Sequence, residues 1–423
     1  MLRVMALASF IALASCHRQA AAPGDAPGNL QVAPGEQLVT VSWDQQADLT
    51  YWIFLQAGST VTAAAPGVPL IFDAHSPRVV SGLANGVQYA FVMNATNRDS
   101  RGGPSTPVVT AVPRLAGASW IPGAPLGSPP QNLNGVVYGA ALNRIAAVGN
   151  AGTIFAGDFN YTSTNPPGVT AWTQATVPTG FVSDLSAVTS SGSQFIALGT
   201  DGSIVTSTDG NAWASAASIP NNGARMNSLA FGLVSSAATY VAVGDGGKIF
   251  TSTDLVTWAT VLPLTGSDLY SVSFPKDTFV ATGAGGALLT SLDGSTWTVR
   301  TSNTPNALRG TAFGTGSTAA GASYVVVGDA GTILTSPDLT TWNPITPSPL
   351  TQDLRAIQLG SRFVAVGQGG MVVYSDDAIN NWSLSSVPGS PPGSPAPDLA
   401  AIIYAPAMYL AVGATGANAV SKR

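Results

Sequence analysis

The sequence predicts an all-β protein whose larger part is a seven-bladed β-propeller. Three observations support this fold class: the composition, a repeated glycine turn, and a tryptophan that returns at one position of each repeat. Of 423 residues, 47 are glycine and only 9% are charged, as in chains rich in strands and tight turns. A period of roughly 40 to 50 residues with several short strands is typical of propeller blades. The tryptophan column comprises Trp120, Trp172, Trp213, Trp258, Trp297, Trp342 and Trp382.

Each copy of the repeat predicts four short strands. An Asp-Leu pair begins the first strand, and an apolar run such as 241–244 forms the second. A Gly-x-x-Gly turn precedes the third strand, and the fourth contains the tryptophan, as at 258–261. The alternation within these runs is typical of sheets that are packed on both faces. We therefore assign residues 119–423 to the propeller.

The two ends of the repeat region predict how the ring closes. The last copy, 398–420, has three strands and no tryptophan, whereas Trp120 stands before the first complete copy. We therefore predict that 119–122 forms the outer strand of the last blade, so that an N-terminal strand closes the propeller. Closure of this kind removes two exposed sheet edges.

Seven Gly-x-x-Gly turns are predicted to join the second and third strands, because glycine tolerates the positive φ that a tight hairpin requires. A phosphate-binding loop is the functional alternative. Such loops precede a helix and a lysine, whereas these turns precede strands. The turns begin at Gly149, Gly199, Gly244, Gly283, Gly328, Gly367 and Gly413.

A Ser-x-Asp-x-x-x-Trp run follows the third strand at 207–213, 252–258, 291–297 and 336–342, and returns with one inserted residue at 375–382. It resembles the Asp-box of bacterial neuraminidase repeats, and the repeats as a whole resemble those of photosystem II assembly factors. The Asp-box family implies a hairpin at the blade periphery, in which the aspartate binds turn amides and the tryptophan fills space between sheets. Short aspartate side chains suit this role because they mimic a backbone turn.

The first residues predict export and a lipid anchor. Residues 1–15 contain Arg3 and an apolar run, as a secretory signal peptide does. The tetrapeptide Leu-Ala-Ser-Cys at 13–16 resembles the lipobox of bacterial lipoproteins, which implies that Cys16, the sole cysteine, receives a diacylglycerol. An ordinary signal peptide is the alternative. Several acyl chains would hold the protein at a membrane, with 16–27 as a short tether.

Residues 28–113 predict a β-sandwich, because apolar and polar residues alternate in runs that turns separate. The runs 39–43, 51–55 and 83–97 resemble the B strand, the C strand and the tyrosine corner of fibronectin type III domains. The resemblance implies seven strands, with Trp43 in the core and the Tyr89 hydroxyl tied to a loop. It also implies a spacer or a weak binding module.

The composition argues against catalysis and against nucleic-acid binding. Only 16 residues are Lys or Arg, whereas phosphate backbones require clustered basic side chains. The single glutamate, Glu36, and both histidines, His17 and His75, precede the propeller. The repeats therefore lack the glutamate of neuraminidases and the imidazole and thiol groups of acid–base, nucleophilic or zinc chemistry. No Asp/Gly turn matches a complete calcium loop, so we expect no metal or cofactor.

The predicted strand order places the links between blades and the Gly-x-x-Gly turns on one face, where we expect a ligand. Seven aspartates on that face would attract cations, basic peptides or sugars. One position beyond the leucine of the Asp-Leu pair, the residue varies between copies, which favours Tyr270, Arg309 and Arg355 as contacts. The alternative is that each arginine pairs with a neighbouring aspartate as a structural bridge. The variable column comprises Asn134, Ser186, Asn227, Tyr270, Arg309, Arg355 and Ala400. The candidate ligand face comprises Asp184, Asp201, Asp245, Asp268, Tyr270, Arg309, Asp329, Arg355, Asp353 and Asp398.

These observations favour a non-catalytic lipoprotein of the cell envelope whose propeller recognises a protein or a glycan, with the sandwich as spacer. The outer membrane is weakly favoured because the residue after Cys16 is His17, and not the aspartate that marks inner-membrane retention in some bacteria. The membrane would be contacted through the lipid anchor only. The alternative is a carbohydrate-active hydrolase that uses pairs of propeller aspartates, since paired carboxylates cleave glycosides.

Overall fold

The computed structural model describes residues 21–97, 102–317, 321–346, 350–379 and 382–421. The predicted signal peptide, Cys16 and His17 lie outside these residues. The described chain forms two compact units. The smaller comprises 21–33, Val41–Arg78 and Val87–Val112, and the larger comprises Pro34–Thr40, Val79–Gly86 and the residues from Pro113 onward.

Seven strands in two sheets precede the repeats, with strand orders β1-β2-β5 and β4-β3-β6-β7. Trp43 is buried, as predicted, and its ring lies 5.4 Å from that of Tyr51. The fibronectin type III relationship of this segment stays a prediction. The strands are β1 (Gln31–Gly35), β2 (Leu38–Ser42), β3 (Leu49–Ala57), β4 (Leu70–Ala74), β5 (Arg78–Ser81), β6 (Tyr89–Asn97) and β7 (Val109–Ala111).

In the larger unit, the residues from Pro113 onward form a β-propeller with seven four-stranded antiparallel sheets. Its strands are β8 (Ile121–Pro122), β9 (Leu133–Gly139), β10 (Arg144–Gly149), β11 (Ile154–Asn160), β12 (Gly168–Gln174), β13 (Leu185–Ser190), β14 (Phe195–Gly199), β15 (Ile204–Ser207), β16 (Ala214–Ser215), β17 (Met226–Val234), β18 (Ala237–Gly244), β19 (Ile249–Ser252), β20 (Ala259–Val261), β21 (Leu269–Ser273), β22 (Phe279–Gly283), β23 (Leu288–Ser291), β24 (Thr298–Val299), β25 (Leu308–Gly314), β26 (Ser323–Gly328), β27 (Ile333–Ser336), β28 (Asn343–Pro344), β29 (Leu354–Leu359), β30 (Phe363–Gly367), β31 (Met371–Ser375), β32 (Ser383–Ser386), β33 (Leu399–Ala405), β34 (Met408–Gly413) and β35 (Asn418–Ser421).

Blades 1 to 6 each take four consecutive strands, from β9–β12 to β29–β32, and blade 7 consists of β33, β34, β35 and β8. Short 3-10 turns separate the second and third strands of six blades, and one more follows β9. These turns are Ala140–Leu142, Asn150–Gly152, Asp245–Gly247, Ala284–Gly286, Asp329–Gly331, Gln368–Gly370 and Ala414–Gly416.

Blade 7 takes its outer strand from the chain before blade 1, as the tryptophan column predicts. Ile121 pairs with Val420 and Pro122 with Ala419 across β8 and β35. Trp120 is buried against Leu399 and other residues of blade 7. The first strands of successive blades contact one another, and β33 of blade 7 contacts β9 of blade 1. The two ends of the repeat region therefore meet in one blade.

Apolar side chains from facing sheets of neighbouring blades form the core between them. Between blades 3 and 4, Val241 and Val243 pack with Phe279 and Trp297, and Phe279 is fully buried. Burial of one such phenylalanine contributes roughly 1.5–3 kcal/mol. Each blade therefore depends on its neighbours to bury its apolar faces.

The Ser-x-Asp-x-x-x-Trp runs form hairpins in which the aspartate accepts backbone N–H groups. In blade 2, Asp209 Oδ1 accepts from Asn211 N at 2.8 Å and from Ala212 N at 3.0 Å. The Ala212 N–H makes the largest contribution to holding the pKa of Asp209 below its usual value. Trp213 Nε1 donates to Gly210 O at 2.9 Å. These local hydrogen bonds hold the turn of the hairpin.

The position of the tryptophan differs by one residue from the prediction. In blades 2 to 7 it lies directly before the fourth strand, whereas in blade 1 Trp172 is within β12. The indole nitrogen bonds the carbonyl three residues earlier in blades 2, 4, 5 and 7, as Trp120 Nε1 does to Gly117 O at 3.0 Å. This bond ties the tryptophan to the hairpin, and the strand begins after it.

Candidate functional site

A cavity of about 560 Å³ opens where the Gly-x-x-Gly turns and the links between blades meet. We call its lining the mouth. It shares several residues with a second cavity of about 420 Å³ that runs along the first strands of the blades, so it is one end of the propeller channel. The mouth is lined by Asn134, Ser186, Arg225, Asn227, Asp245, Asp268, Tyr270, Arg309, Asp353 and Arg355.

Six of the ten predicted ligand-face residues line the mouth: Asp245, Asp268, Tyr270, Arg309, Asp353 and Arg355. The other four, Asp184, Asp201, Asp329 and Asp398, lie outside its lining. Asp201 Oδ1 accepts from Ser183 Oγ at 2.8 Å and from Ser203 N at 2.9 Å. Asp329 and Asp398 pair with two of the mouth arginines.

The four aspartates that precede first strands connect neighbouring blades, and we call them the junction aspartates. Each accepts the N–H of the third residue in the Gly-x-x-Gly turn of the preceding blade, at 2.8–3.0 Å. Asn132 accepts the equivalent N–H from the turn of blade 7 at 2.9 Å. These carboxylates are already hydrogen-bonded within the chain, so their first role is structural. The pairs are Ala151 with Asp184, Gly246 with Asp268, Ala330 with Asp353, and Gly369 with Asp398.

Arg309 is held by two contacts that fix its guanidinium at the mouth. Its Nε and Nη2 both donate to the Asp329 carboxylate, the latter at 3.0 Å. The guanidinium carbon lies 4.9 Å from the centre of the Tyr270 ring, as in a cation–π contact. The hydrogen bonds that Arg309 donates to Asp329 raise the pKa of Arg309. Arg309 is therefore ordered before any ligand arrives.

Arg355 forms the interblade bridge that the sequence left open as an alternative. Its Nη2 lies 3.0 Å from Asp398 Oδ2, and both side chains keep more than a third of their surface exposed. The exposed fraction leaves the remaining guanidinium donors accessible to a ligand. Two neutral members of the variable column also join blades, since Asn134 donates to Leu185 O and Asn227 to Leu269 O, each at 2.9 Å.

Arg225 is a mouth residue that the sequence prediction missed. It precedes Met226 at the position where four other blades have a junction aspartate. Its Nε donates to Asn227 Oδ1 at 3.1 Å, and it forms no ion pair with any described residue. The sequence signal for this residue is an arginine at a repeat position where other blades have an aspartate.

The mouth is chemically asymmetric. Blades 3 to 6 supply three guanidinium groups and a phenol, from Arg225, Tyr270, Arg309 and Arg355, whereas blades 1 and 2 supply Asn134 and Ser186. One side therefore offers guanidinium and aromatic groups beside three carboxylates, and the other offers small neutral groups. Such an arrangement can bind acceptor groups and planar groups in one orientation.

The described residues provide no group of three or more His, Cys, Asp or Glu side chains that could hold a metal ion. In the same part of the chain, no helix has the length and apolar character that a membrane crossing requires.

No protein-family model matches the chain, and no curated protein matches it. Solved β-propellers are similar to it in structure. YCF48 from Cyanidioschyzon merolae has a TM-score of 0.51 at 18% identity, covering 72% of this chain and 98% of YCF48. A structure of YCF48 bound to D1 peptide has a TM-score of 0.53 at 15% identity, with 72% and 97% covered. The WD40 β-propeller domain of Doa1 has a TM-score of 0.54 at 12% identity, with 72% and 97% covered. The chain therefore shares the β-propeller fold with these proteins.

Proposed function

We propose that the protein is a non-catalytic binding protein whose propeller receives a segment of a protein partner at the mouth. The observation that carries this proposal is the ordered Tyr270–Arg309 pair beside the unpaired Arg225 on one side of the mouth. Aromatic and arginine side chains dominate binding energy at protein interfaces. One similar propeller is a structure of YCF48 with a bound D1 peptide, which supports a peptide-sized ligand.

The guanidinium donors of the mouth favour a partner segment that carries hydrogen-bond acceptors, because the three aspartates beside them already accept hydrogen bonds within the chain. Arg309 is fixed by Asp329 and Tyr270, so it loses little side-chain freedom on binding. Arg225 is free to pair with a carboxylate or carbonyl oxygen of the partner. A bidentate guanidinium contact of that kind is stronger than a neutral hydrogen bond.

The hydrolase alternative gains no support from the propeller aspartates. A glycosidase needs one carboxylic acid and one carboxylate with free oxygen atoms on either side of the scissile bond. Asp268 and Asp353, which line the mouth, each accept a backbone N–H from the neighbouring turn. They act as structural acceptors at the blade junctions.

We place this binding activity at the cell envelope, through acylation of Cys16 and the tether 16–27, with 28–113 as a fibronectin type III-like spacer. The basis is the Leu-Ala-Ser-Cys sequence after an apolar run. Palmitate labelling in cells tests the anchor: wild type should incorporate label and sediment with membranes, and Cys16→Ser should do neither. Labelling of both proteins, or of neither, would contradict it.

The mouth is tested with the Arg309→Ala/Arg355→Ala double variant of the full chain. Wild type, the double variant and Arg144→Ala are used to capture envelope proteins, which are quantified by mass spectrometry. Arg144 is a matched control, because it also forms an ion pair, with Asp158 at 3.2 Å, and does not line the mouth. We expect a partner that wild type and Arg144→Ala recover equally and the double variant recovers at least tenfold less.

Equal recovery by all three proteins would contradict the mouth as the binding site. A glycan array and a panel of chromogenic glycosides are run with the same preparations. Binding to glycans alone would replace the protein partner, and turnover of a glycoside would favour the hydrolase.

A further inference from the structure

A cavity of about 710 Å³, which we call the entry cavity, lies beside the segment that precedes β8. Its walls are formed by Pro34, the turn at 85–86, residues within 114–119, and Arg362, all of which belong to the larger compact unit. Pockets for small molecules have volumes of roughly 300–1,000 Å³. The residues that line the mouth do not line this cavity, so it is a second candidate site of the larger unit.

Two polar residues of the entry cavity are held against the turn between β1 and β2. Asn85 Oδ1 accepts the backbone N–H of Gln37 at 2.8 Å, and the backbone N–H of Arg114 donates to Gly35 O at 3.0 Å. Because Gly35 and Gln37 are two positions apart, these bonds bring Asn85 and Arg114 to the same part of the wall. The first bond uses the amide oxygen of Asn85, whereas its Nδ2 donates to no acceptor among the described residues.

Arg362 supplies a buried guanidinium to the same cavity. It is 8% exposed, its Nε lies 2.8 Å from Asp376 Oδ1, and its guanidinium carbon lies 4.7 Å from the centre of the Tyr374 ring. Its Cδ lies 3.4 Å from the position that a Cβ would take on Gly117, which places the side chain beside the segment 114–119. Its Nη groups donate to no acceptor in the part of the chain that the structure describes. This arginine is therefore fixed in place and keeps donors for a ligand.

The entry cavity has a positive charge. The exposed Arg114 guanidinium forms no hydrogen bond or ion pair with a described residue, and the described residues that line the cavity include no aspartate or glutamate. Glu36, in the turn between β1 and β2, is 3% exposed, and its two carboxylate oxygens accept the Ala116 N–H and the Tyr404 hydroxyl, each at 3.3 Å. That carboxylate is therefore already hydrogen-bonded within the chain.

We propose that the entry cavity binds the phosphate group of a small molecule or of a lipid, with Arg362 and Arg114 as countercharges and the Asn85 amide as a further donor. Guanidinium groups bind phosphate oxygens through paired, charge-assisted hydrogen bonds. A phosphate group has at least three acceptor oxygens and suits donors on separate walls, whereas a carboxylate has two. The remaining volume of the cavity accommodates the group that is esterified to the phosphate.

The site is tested by isothermal titration calorimetry of the full chain with sodium phosphate at pH 7.5, with sodium chloride at equal ionic strength as control. We expect saturable binding of one phosphate per chain and no saturable heat from chloride. Sodium acetate should bind at least tenfold more weakly, because it offers fewer acceptor oxygens and less charge. Acetate binding as tight as that of phosphate would overturn the assignment of a phosphate site.

Arg114→Gln removes one countercharge from an exposed position, so the protein should stay folded while its affinity for phosphate falls at least tenfold. Arg300→Gln is the matched control. Arg300 also forms no ion pair with a described residue, its Nε donates to Thr290 Oγ1 at 2.9 Å, and it lines a different cavity. Its variant should bind phosphate as wild type does, and equal affinities of all three proteins would overturn the proposal.

Arg362→Lys keeps a positive charge beside Asp376 and removes the planar donors of the guanidinium. We expect its affinity for phosphate to fall at least threefold, with far-UV circular dichroism reporting the fold. An unchanged affinity in the folded variant would overturn the role of the buried arginine and with it the proposed site.

The source of the phosphate group is distinguished by comparing inorganic phosphate with monomeric dihexanoyl phosphatidylglycerol. Tighter binding of the phospholipid favours a lipid headgroup, and equal or weaker binding favours a soluble phosphorylated molecule. Both outcomes support the site, and the absence of saturable binding by both probes overturns it. Because the entry cavity and the mouth share no lining residue, this result is independent of the proposed partner.

Discussion

The outer hairpins and the turns around the mouth are built from the same repeat, yet they differ in how completely they repeat. In the Ser-x-Asp-x-x-x-Trp hairpins of blades 2 to 5, the aspartate accepts two backbone N–H groups with nearly identical geometry. At the mouth, the variable column changes from asparagine to tyrosine to arginine between blades. Uniform positions maintain the blades, whereas variable positions are free to acquire contacts with a ligand.

Removal of a tryptophan from the outer hairpin should have the largest effect on stability. Trp297 is 7% exposed and packs between blades 3 and 4. Trp297→Ala should cost about 3–5 kcal/mol through lost burial and a cavity. Tyr270→Ala, at the half-buried mouth, should cost about 1 kcal/mol or less. Urea unfolding followed by far-UV circular dichroism measures both.

Similar losses of unfolding free energy for the two variants would contradict the division between structural outer hairpins and a mouth that is free to vary. Recovery of the partner in the capture experiment should show the reverse order of effects. Tyr270→Ala should lower recovery severalfold through loss of the ring beneath Arg309, whereas a folded Trp297→Phe protein should keep it.

The aspartate of the same hairpin should have an intermediate effect. Asp293 Oδ1 accepts from Ser295 N at 2.8 Å and from Thr296 N at 2.6 Å. Asp293→Ala removes both acceptors and should cost about 1–2 kcal/mol, as the loss of a helix cap does. Asp245 accepts from the Asn227 side chain at 2.8 Å, so Asp245→Ala should cost about 0.5 kcal/mol or less. A larger cost for Asp245→Ala in the urea midpoint would reverse the comparison.

Much of the fold could be predicted from sequence because the same residues recur at the same position of each blade. Seven tryptophans predict seven sheets, and the position of Trp120 predicts the exchange of β8 into blade 7. The hairpin was predictable for the same reason, since Ser, Asp and Trp lie within seven residues, the Ser bonds the Asp, and the Trp bonds a carbonyl within the same run. Local hydrogen bonds and a regular period are properties that a single sequence displays directly.

The mouth was less predictable because its contacts join residues that are far apart in the sequence. Arg355 and Asp398 form a bridge across 43 positions, and the sequence could not distinguish that bridge from a free arginine. Asp184 binds an N–H 33 residues away, so a carboxylate that suggests an acidic face is in fact a junction acceptor. Arg225 was missed because the candidate column lay two positions later.

The pH dependence of stability should show the smallest effect, and it tests the aspartates of the outer hairpins selectively. In Asp209, Asp254, Asp293 and Asp338 the pKa is lowered in the folded protein, with backbone N–H bonds as the lowering contacts. For Asp293 burial opposes the shift, and the bonds from Thr296 and Ser295 outweigh it. A lowered pKa means that the unfolded chain takes up protons first as the pH falls. The hairpins should therefore contribute fully above pH about 4, the unfolded value, and lose their contribution progressively below it.

Asp293→Asn isolates one of these carboxylates, because the amide oxygen still accepts N–H groups and does not titrate. Urea midpoints measured between pH 7 and pH 2 should fall less steeply below pH 4 for this variant than for wild type. The difference between the two proteins should narrow toward pH 2, because the unfolded chain takes up the proton in this range while the folded carboxylate, whose pKa is lowered further, still holds its charge-assisted bonds. Parallel curves over the whole pH range would mean that the charge of the hairpin aspartate does not contribute to stability. The outer hairpins would then be held by the tryptophan and the sheet contacts alone.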